Sequence, residues 1–194
     1  MRKPAVTDQP IHELARERWS PRAFSGDPLE EADLRAVLEA ARWAPSSRNS
    51  QPWRFLVGRR GEEGFDRLLG CLVEWNRGWA HAAGALLVAC ARTRDAKGRP
   101  LSHARYDTGQ AVAWLTVEAE ARGLRVHQMG GFDGAAVRER CGLPDDVEPV
   151  TAIAVGAPGS AQDLAADYRE QETAPREREP IDQIAFGATY GEAL

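Results

Sequence analysis

The sequence predicts an α+β or α/β protein in which helices outnumber strands. Three observations carry that prediction. Apolar residues recur at helical spacing, as in Leu34, Val37, Leu38 and Ala41, which form one face. Two continuous apolar runs, ALLVACA (85–91) and VTAIAVG (150–156), read as strands. Helical and strand segments are interleaved along the chain rather than segregated.

Taken in order, residues 10–19 (PIHELARERW) read as a first helix. Asp27 and Pro28 open a second: proline is pre-set for the first helical turn, and Asp27 caps with Glu30 three residues on. Pro45 ends it. WRFLVG, from Trp53, is a strand, and residues 61–78 look helical. Arg92 to Pro100 is a loop. Residues 103–122 form the longest helix, with Val112, Leu115, Thr116 and Ala119 on one face and Gly123 as its stop. A short strand covers Leu124 to Gln128, and Asp133 caps a short helix ending near Gly142. Residues 157–180 are polar and punctuated by Pro158, Gly159, Pro175 and Pro180. Such a segment cannot fold alone. It is either a disordered tail or an arm docked on another surface, and Ile181, Ile184, Phe186 and Tyr190 favour docking.

The 194 residues favour one domain, 1–194, with residues 157–194 as its C-terminal arm. The net charge of -4, from 25 Lys+Arg against 29 Asp+Glu, argues against a nucleic-acid binder, which favours a strongly basic surface. Cys71, Cys90 and Cys141 are far apart and lack zinc-ligand spacing, so no metal is expected. Cys90 is a small core residue. The opening MRKPAVTDQP has no apolar signal core, and no run of eighteen apolar residues occurs. The expectation is a cytoplasmic protein, neither secreted nor membrane-spanning.

The chain has no GxSxG, HExxH or P-loop, and the absent GxGxxG excludes a separate dinucleotide-binding domain. His12, His81, His103 and His127 are scattered and read as surface or satisfied histidines rather than bases. Four polar clusters remain. In Arg18-Trp19-Ser20-Pro21-Arg22, an extended backbone points alternate residues the same way, and two guanidinium forks with a hydroxyl suit a phosphate. Arg176 and Arg178 form a second alternating pair. Gly130 and Gly131 follow a strand, where missing side chains let backbone amides approach a ligand. The fourth cluster is the turn APSSRNSQPW (44–53), dense in side chains that both give and accept hydrogen bonds.

These segments, with GL…MGGFD at 123–133 and RxRxP at 176–180, occur in an order that resembles the nitroreductase family of FMN-dependent oxidoreductases. The resemblance spans nearly the whole chain. It implies an α+β fold with a mixed sheet flanked by helices, and an intertwined homodimer holding two FMN molecules at the subunit interface. By similarity, Arg18, Ser20 and Arg22 hold the flavin phosphate and pyrimidine edge from one subunit, joined at the phosphate by Arg176 and Arg178. Gly130 and Gly131 lie by the isoalloxazine ring. Pro45, Ser46, Ser47 and Asn49 come from the other subunit, with Gln51 nearby, and Asn76 falls where relatives carry a polar contact. Trp19 and Pro21 add unusual bulk and rigidity beside the phosphate residues, and IDQIAFGATYGEAL lacks a final tryptophan found in many members.

The implied function is an oxidoreductase in which NADH or NADPH reduces FMN at N5 and leaves. A flat acceptor such as a nitroaromatic or quinone then takes its place, in a ping-pong scheme. No catalytic acid–base pair is needed because the flavin carries the chemistry. Arg22 is the expected group to stabilise the reduced, anionic ring. A flavin-storage or sensing protein without NAD(P)H turnover is the alternative. Neither nucleic acid nor membrane is an expected partner.

Overall fold

The structure, a computed structural model, describes residues 2–194. Strands β1 (Trp53–Arg59), β2 (Ala85–Arg92), β3 (Arg125–Met129) and β4 (Val147–Gly156) form one sheet in the order β1-β2-β4-β3. The fold is α+β. Every pairing within the chain is antiparallel, which corrects the expected mixed sheet. The reason lies in the connections. Arg59 pairs with Ala85, so the helical excursion after β1 returns the chain to the end of the sheet it left.

β2 and β4 are apolar because both faces of the sheet are covered. Leu86, Val88 and Cys90 point into one core with Phe65, Leu68, Trp79 and Val137. Ala85, Leu87 and Ala89 point into the other with Leu34, Val37, Leu115 and Ile153. Helices α2 (Glu31–Arg42) and α5 (Ala104–Ala121) cover the second face, and α3 (Glu63–Leu69), α4 (Glu74–Ala80) and α6 (Gly134–Cys141) the first. Cys90 is fully buried, and burial pushes its thiol up to about 12. A thiol so placed is inert packing, as expected.

Helix ends with purely local signals match the sequence. Asp133 Oδ1 accepts from the Ala135 and Ala136 amides, and Gly142 closes α6 at φ 65°. Gly123 does the same after α5 at φ 73°. Elsewhere tertiary contacts win. The first helix shrinks to α1 (Glu13–Glu17). α2 starts at Glu31, and Asp27 does not cap it. Residues before it stay extended because the Leu29 amide donates to Gly84 (3.0 Å) and the Leu29 carbonyl accepts from Arg59. The expected single helix over 61–78 is two. Leu72 bridges to Phe132, and the Cys71 carbonyl accepts from the Asp133 amide, which holds the chain out of helix between α3 and α4. The polar tail contains α7 (Ala166–Thr173), packed against its own chain through Glu172.

Gly58 in β1 fixes how closely α3 approaches the sheet. A methyl group there would land on the backbone of Gly64 and Phe65. Gly58→Ala is therefore expected to cost about 2–3 kcal/mol, the upper part of the overpacking range, because backbone rather than a flexible side chain must move. Urea unfolding of the pair of proteins checks this, and an unchanged midpoint would refute it.

Candidate functional site

α1 ends at Arg18, whose backbone is already extended (φ -60°, ψ 127°), and the chain runs on through Arg22. Arg18 Nη1 donates to Ser20 Oγ at 3.3 Å, so these two expected residues meet. The Arg22 and Ala23 amides donate to the two carboxylate oxygens of Glu172 at 2.8 and 3.1 Å. Glu172 is only 2% exposed, and this clamp fixes the segment's direction. Arg22 Nε is buried with no hydrogen-bond partner. An unpaired buried donor on a charged group is costly unless something outside the chain accepts from it.

The C-terminal arginines approach the same place. Arg176 Nη1 donates to the carbonyls of Lys3 (2.7 Å) and Arg16 (3.1 Å). Arg178 Nη1 donates to Glu177 O at 2.6 Å. Burial first, then Arg176 and Arg178, pushes Arg18 below its ordinary value. Burial and Arg178 likewise lower Arg176. Lys3 Nζ donates to the Glu172 carbonyl at 2.8 Å and stands 4.7 Å over the Trp19 ring. Burial, Arg176 and Arg22 lower Lys3, against the pull of Glu172. The result is a knot of cations that repel one another in partly dehydrated surroundings. Such a knot favours a multiply charged anion. Trp19, unusual in sequence, is a buried residue beneath Lys3.

His127, which contacts Pro21 next to Arg22, was expected to be satisfied and is. Its Nδ1 bonds the Pro21 carbonyl at 2.9 Å, and its ring packs 4.5 Å from Trp79. Burial pushes this imidazole down to about 4, helped by Arg22 and opposed by the Pro21 and Ser20 backbone bonds. Beyond β3, Asn76 Nδ2 donates to the Gly131 carbonyl at 2.9 Å. A Cβ on Gly131 would strike Asn76 Nδ2 at 2.7 Å, whereas one on Gly130 would meet nothing within 4 Å. The chain thus brings Asn76 and Gly131 together and leaves Gly130 bare.

The polar turn stands apart. Arg48, Asn49 and Gln51 all have positive φ (52°, 56° and 45°). Left-handed non-glycine residues cost of order 1–3 kcal/mol each and cluster at functional sites. Ser46 Oγ accepts from the Gln51 amide at 3.1 Å, and Gln51 Nε2 donates to the Asn49 carbonyl at 3.2 Å. The Ser47 amide donates to Asp107 Oδ2 at 3.1 Å, anchoring the turn to the first turn of α5. Pro45, Ser47 and Asn49 are exposed. Among the described residues, this turn shares no hydrogen-bonding partner with the arginine cluster. Lys3, Asp107, His127 and Glu172 were not anticipated as parts of these sites. Only the rarity of lysine, present at Lys3 and Lys97, offered any signal.

Comparison with known proteins decides what this arrangement belongs to. A sequence model described as "Nitroreductase family" matches residues 15–70 and 68–157. The chain belongs to the nitroreductase family. A putative NADH dehydrogenase/NAD(P)H nitroreductase of Streptomyces coelicolor is 28% identical over 81% of this chain and 86% of its own length. An uncharacterised 15.4 kDa protein of Mycolicibacterium smegmatis is 38% identical over 73% of this chain and 99% of its own. A crystal structure described as an oxidoreductase containing FMN superposes with a TM-score of 0.92 at 32% identity, covering 96% of both chains.

Two outcomes are expected within this nitroreductase-family chain. Glu172→Ala strands two backbone donors and is expected to cost about 2–4 kcal/mol, measured by urea unfolding. A loss below 1 kcal/mol would show that the clamp contributes little. For His127, the unfolded chain takes up a proton below pH 6.5, whereas the folded chain resists until about pH 4. Its contribution is therefore present above pH 6.5 and is lost as pH falls toward 4, by about 3 kcal/mol. His127→Gln should flatten stability against pH across that window, read from urea midpoints, and an equally steep profile would contradict the assignment.

Proposed function

We infer that this chain is an NAD(P)H-dependent FMN oxidoreductase acting on a flat electrophilic acceptor such as a nitroaromatic or quinone. The observation that carries the reading is the cation knot of Lys3, Arg18, Arg176 and Arg178 beside the buried, unpartnered Arg22 Nε. Its donors fit FMN. A phosphate dianion meets several cations, and the orphan Nε meets a carbonyl edge. Kinship with a structure described as containing FMN supports the same cofactor.

Arg18, Ser20, Arg176 and Arg178 hold the phosphate, and Lys3 adds positive charge behind them. Arg22, held by the Glu172 clamp, places positive charge at the pyrimidine edge, where negative charge develops on reduction. Asn76 ties back the Gly131 carbonyl, and the bare Gly130 lets the backbone approach the ring. His127, neutral at pH 7, props the Pro21 carbonyl and adds no charge. When bound, FMN would supply two-electron redox chemistry between NAD(P)H and the acceptor, and the residues above would hold and orient it.

The turn of Pro45, Ser46, Ser47, Asn49 and Gln51 completes the site of a partner subunit in a homodimer. Support comes from large apolar residues on the outer side of α5, Tyr106, Trp114 and Val117, and from Trp43, which is 70% exposed at the end of α2. The tail after Arg176 carries exposed Ile181, Ile184 and Tyr190, as suits an arm laid on that partner. No helix among the described residues is long and apolar enough to cross a membrane, and the three cysteines are free, in keeping with a cytoplasmic enzyme.

The purified protein should be yellow, release FMN rather than FAD on heating, and bleach with NADPH or NADH. A colourless protein that cannot be reconstituted with FMN would overturn the reading. Composite sites are tested by co-expressing an Arg18→Ala, Arg22→Ala chain with a Ser46→Ala, Asn49→Ala chain. In the mixed dimer one site collects all four changes and the other none. It should hold about one tight FMN and regain roughly half the wild-type activity, since an isologous interface makes two equivalent sites. A mixed dimer as weak as both parents would refute the shared site.

A further inference from the structure

A cavity of about 540 Å³ opens beside the strained turn, within the usual size of small-molecule pockets. Ser47, Arg48 and Ser50 form one wall; Arg99, His103 and Asp107, from the loop after β2 and the start of α5, form the other. Its charged groups differ in what they have left to offer. Asp95 accepts from Arg99 Nε at 2.7 Å and from the Lys97 and Arg99 amides at 2.8 and 2.9 Å, so it and Arg99 satisfy each other. Asp107, 3% exposed, is taken by the Ser47 amide. His103 Nδ1 pairs with Ser102 Oγ at 3.1 Å. Arg48 alone has neither an ion pair nor a side-chain hydrogen bond among the described residues. It is also held in left-handed backbone at φ 52°, in the middle of the strained turn.

We propose that this cavity seats the acceptor and that Arg48 selects acceptors bearing a carboxylate. The proposal rests on the reading that the turn completes a partner's flavin site, because the cavity then adjoins the flavin of that site. A planar ring fills the space between the turn and the loop after β2. Its carboxylate takes the free guanidinium of Arg48 as a charge-assisted pair. Ser47 and Ser50 hydroxyls provide further donors on the same wall. Of the two carboxylates in the cavity, Asp95 is paired with Arg99, and Asp107 is buried and turned to the Ser47 amide, which leaves Arg48, among the described residues, as the cation without a partner on this wall.

The test uses the dimeric holoprotein with benzoate and benzamide, flat probes of nearly equal shape that differ in charge and cannot be reduced. Calorimetry gives the affinity of each for wild type, Arg48→Lys and Arg48→Asn. Asparagine tolerates the left-handed backbone, so the turn persists in that variant. Wild type should bind benzoate at least about tenfold more tightly than benzamide, in line with a charge-assisted contact. Arg48→Lys should keep most of that preference and Arg48→Asn should lose it. Equal affinities in wild type, or a preference that survives Arg48→Asn, overturns the proposal. A yellow protein that NADPH bleaches but that shows no preference sinks this inference alone. A colourless protein with an Arg48-dependent preference sinks the flavin reading and leaves the anion seat standing.

Discussion

Strand β2 is buried on both faces, and most of the architecture follows from that constraint. A strand with two apolar faces needs two cores, so helices must come back to the sheet from either side. Alternate residues of β2 supply each core in turn. The helices recruited for packing then deliver the functional groups. α4 brings Asn76 to Gly131 on one face. On the other, α2 ends beside the start of α5, where Asp107 catches the turn as it leaves for β1. Positions of side chains that touch no core are thus set by how the core is filled.

The two parts of the site are built on opposite physical terms. Around Arg18 the chain gathers several cations, and the carboxylates that face them, Glu120 and Glu172, are largely engaged elsewhere. Glu172 spends both oxygens on backbone amides, and Glu120 is raised by burial while paired with Arg125 at 3.1 Å. The turn concentrates backbone strain instead, with three left-handed residues that local hydrogen bonds keep in place. One part holds like charges close together, the other holds strained backbone through a rigid anchor.

Legibility in the sequence tracked the range of the interaction. The Asp133 cap and the Gly142 stop need only neighbours a few residues away, and both stood out. The start of α2 did not, because Leu29 is claimed by Gly84 far along the chain. The break between α3 and α4 depends on Phe132, which no local pattern around Leu72 reveals. Arg18, Ser20 and the polar turn were visible through their spacing and order. Lys3, Asp107, His127 and Glu172 were not, since each acts through a backbone group distant in sequence. α7 was hidden for the same reason. Its composition is polar, and a buried carboxylate with one aromatic, Tyr168, docks it rather than a continuous apolar face.

The Glu172 clamp also imposes an order on synthesis. The amides it satisfies, at Arg22 and Ala23, precede it by 150 and 149 residues. While the chain is growing, those amides lack their native acceptor, and the Arg18–Arg22 segment has no fixed direction. Every buried residue of both cores, the last of them Leu164, emerges earlier. A nascent chain can therefore pack its sheet first and fix the direction of the Arg18–Arg22 segment only when α7 clears the ribosome. A chain truncated before Glu172 would retain both cores while leaving the Arg22 and Ala23 amides without their carboxylate.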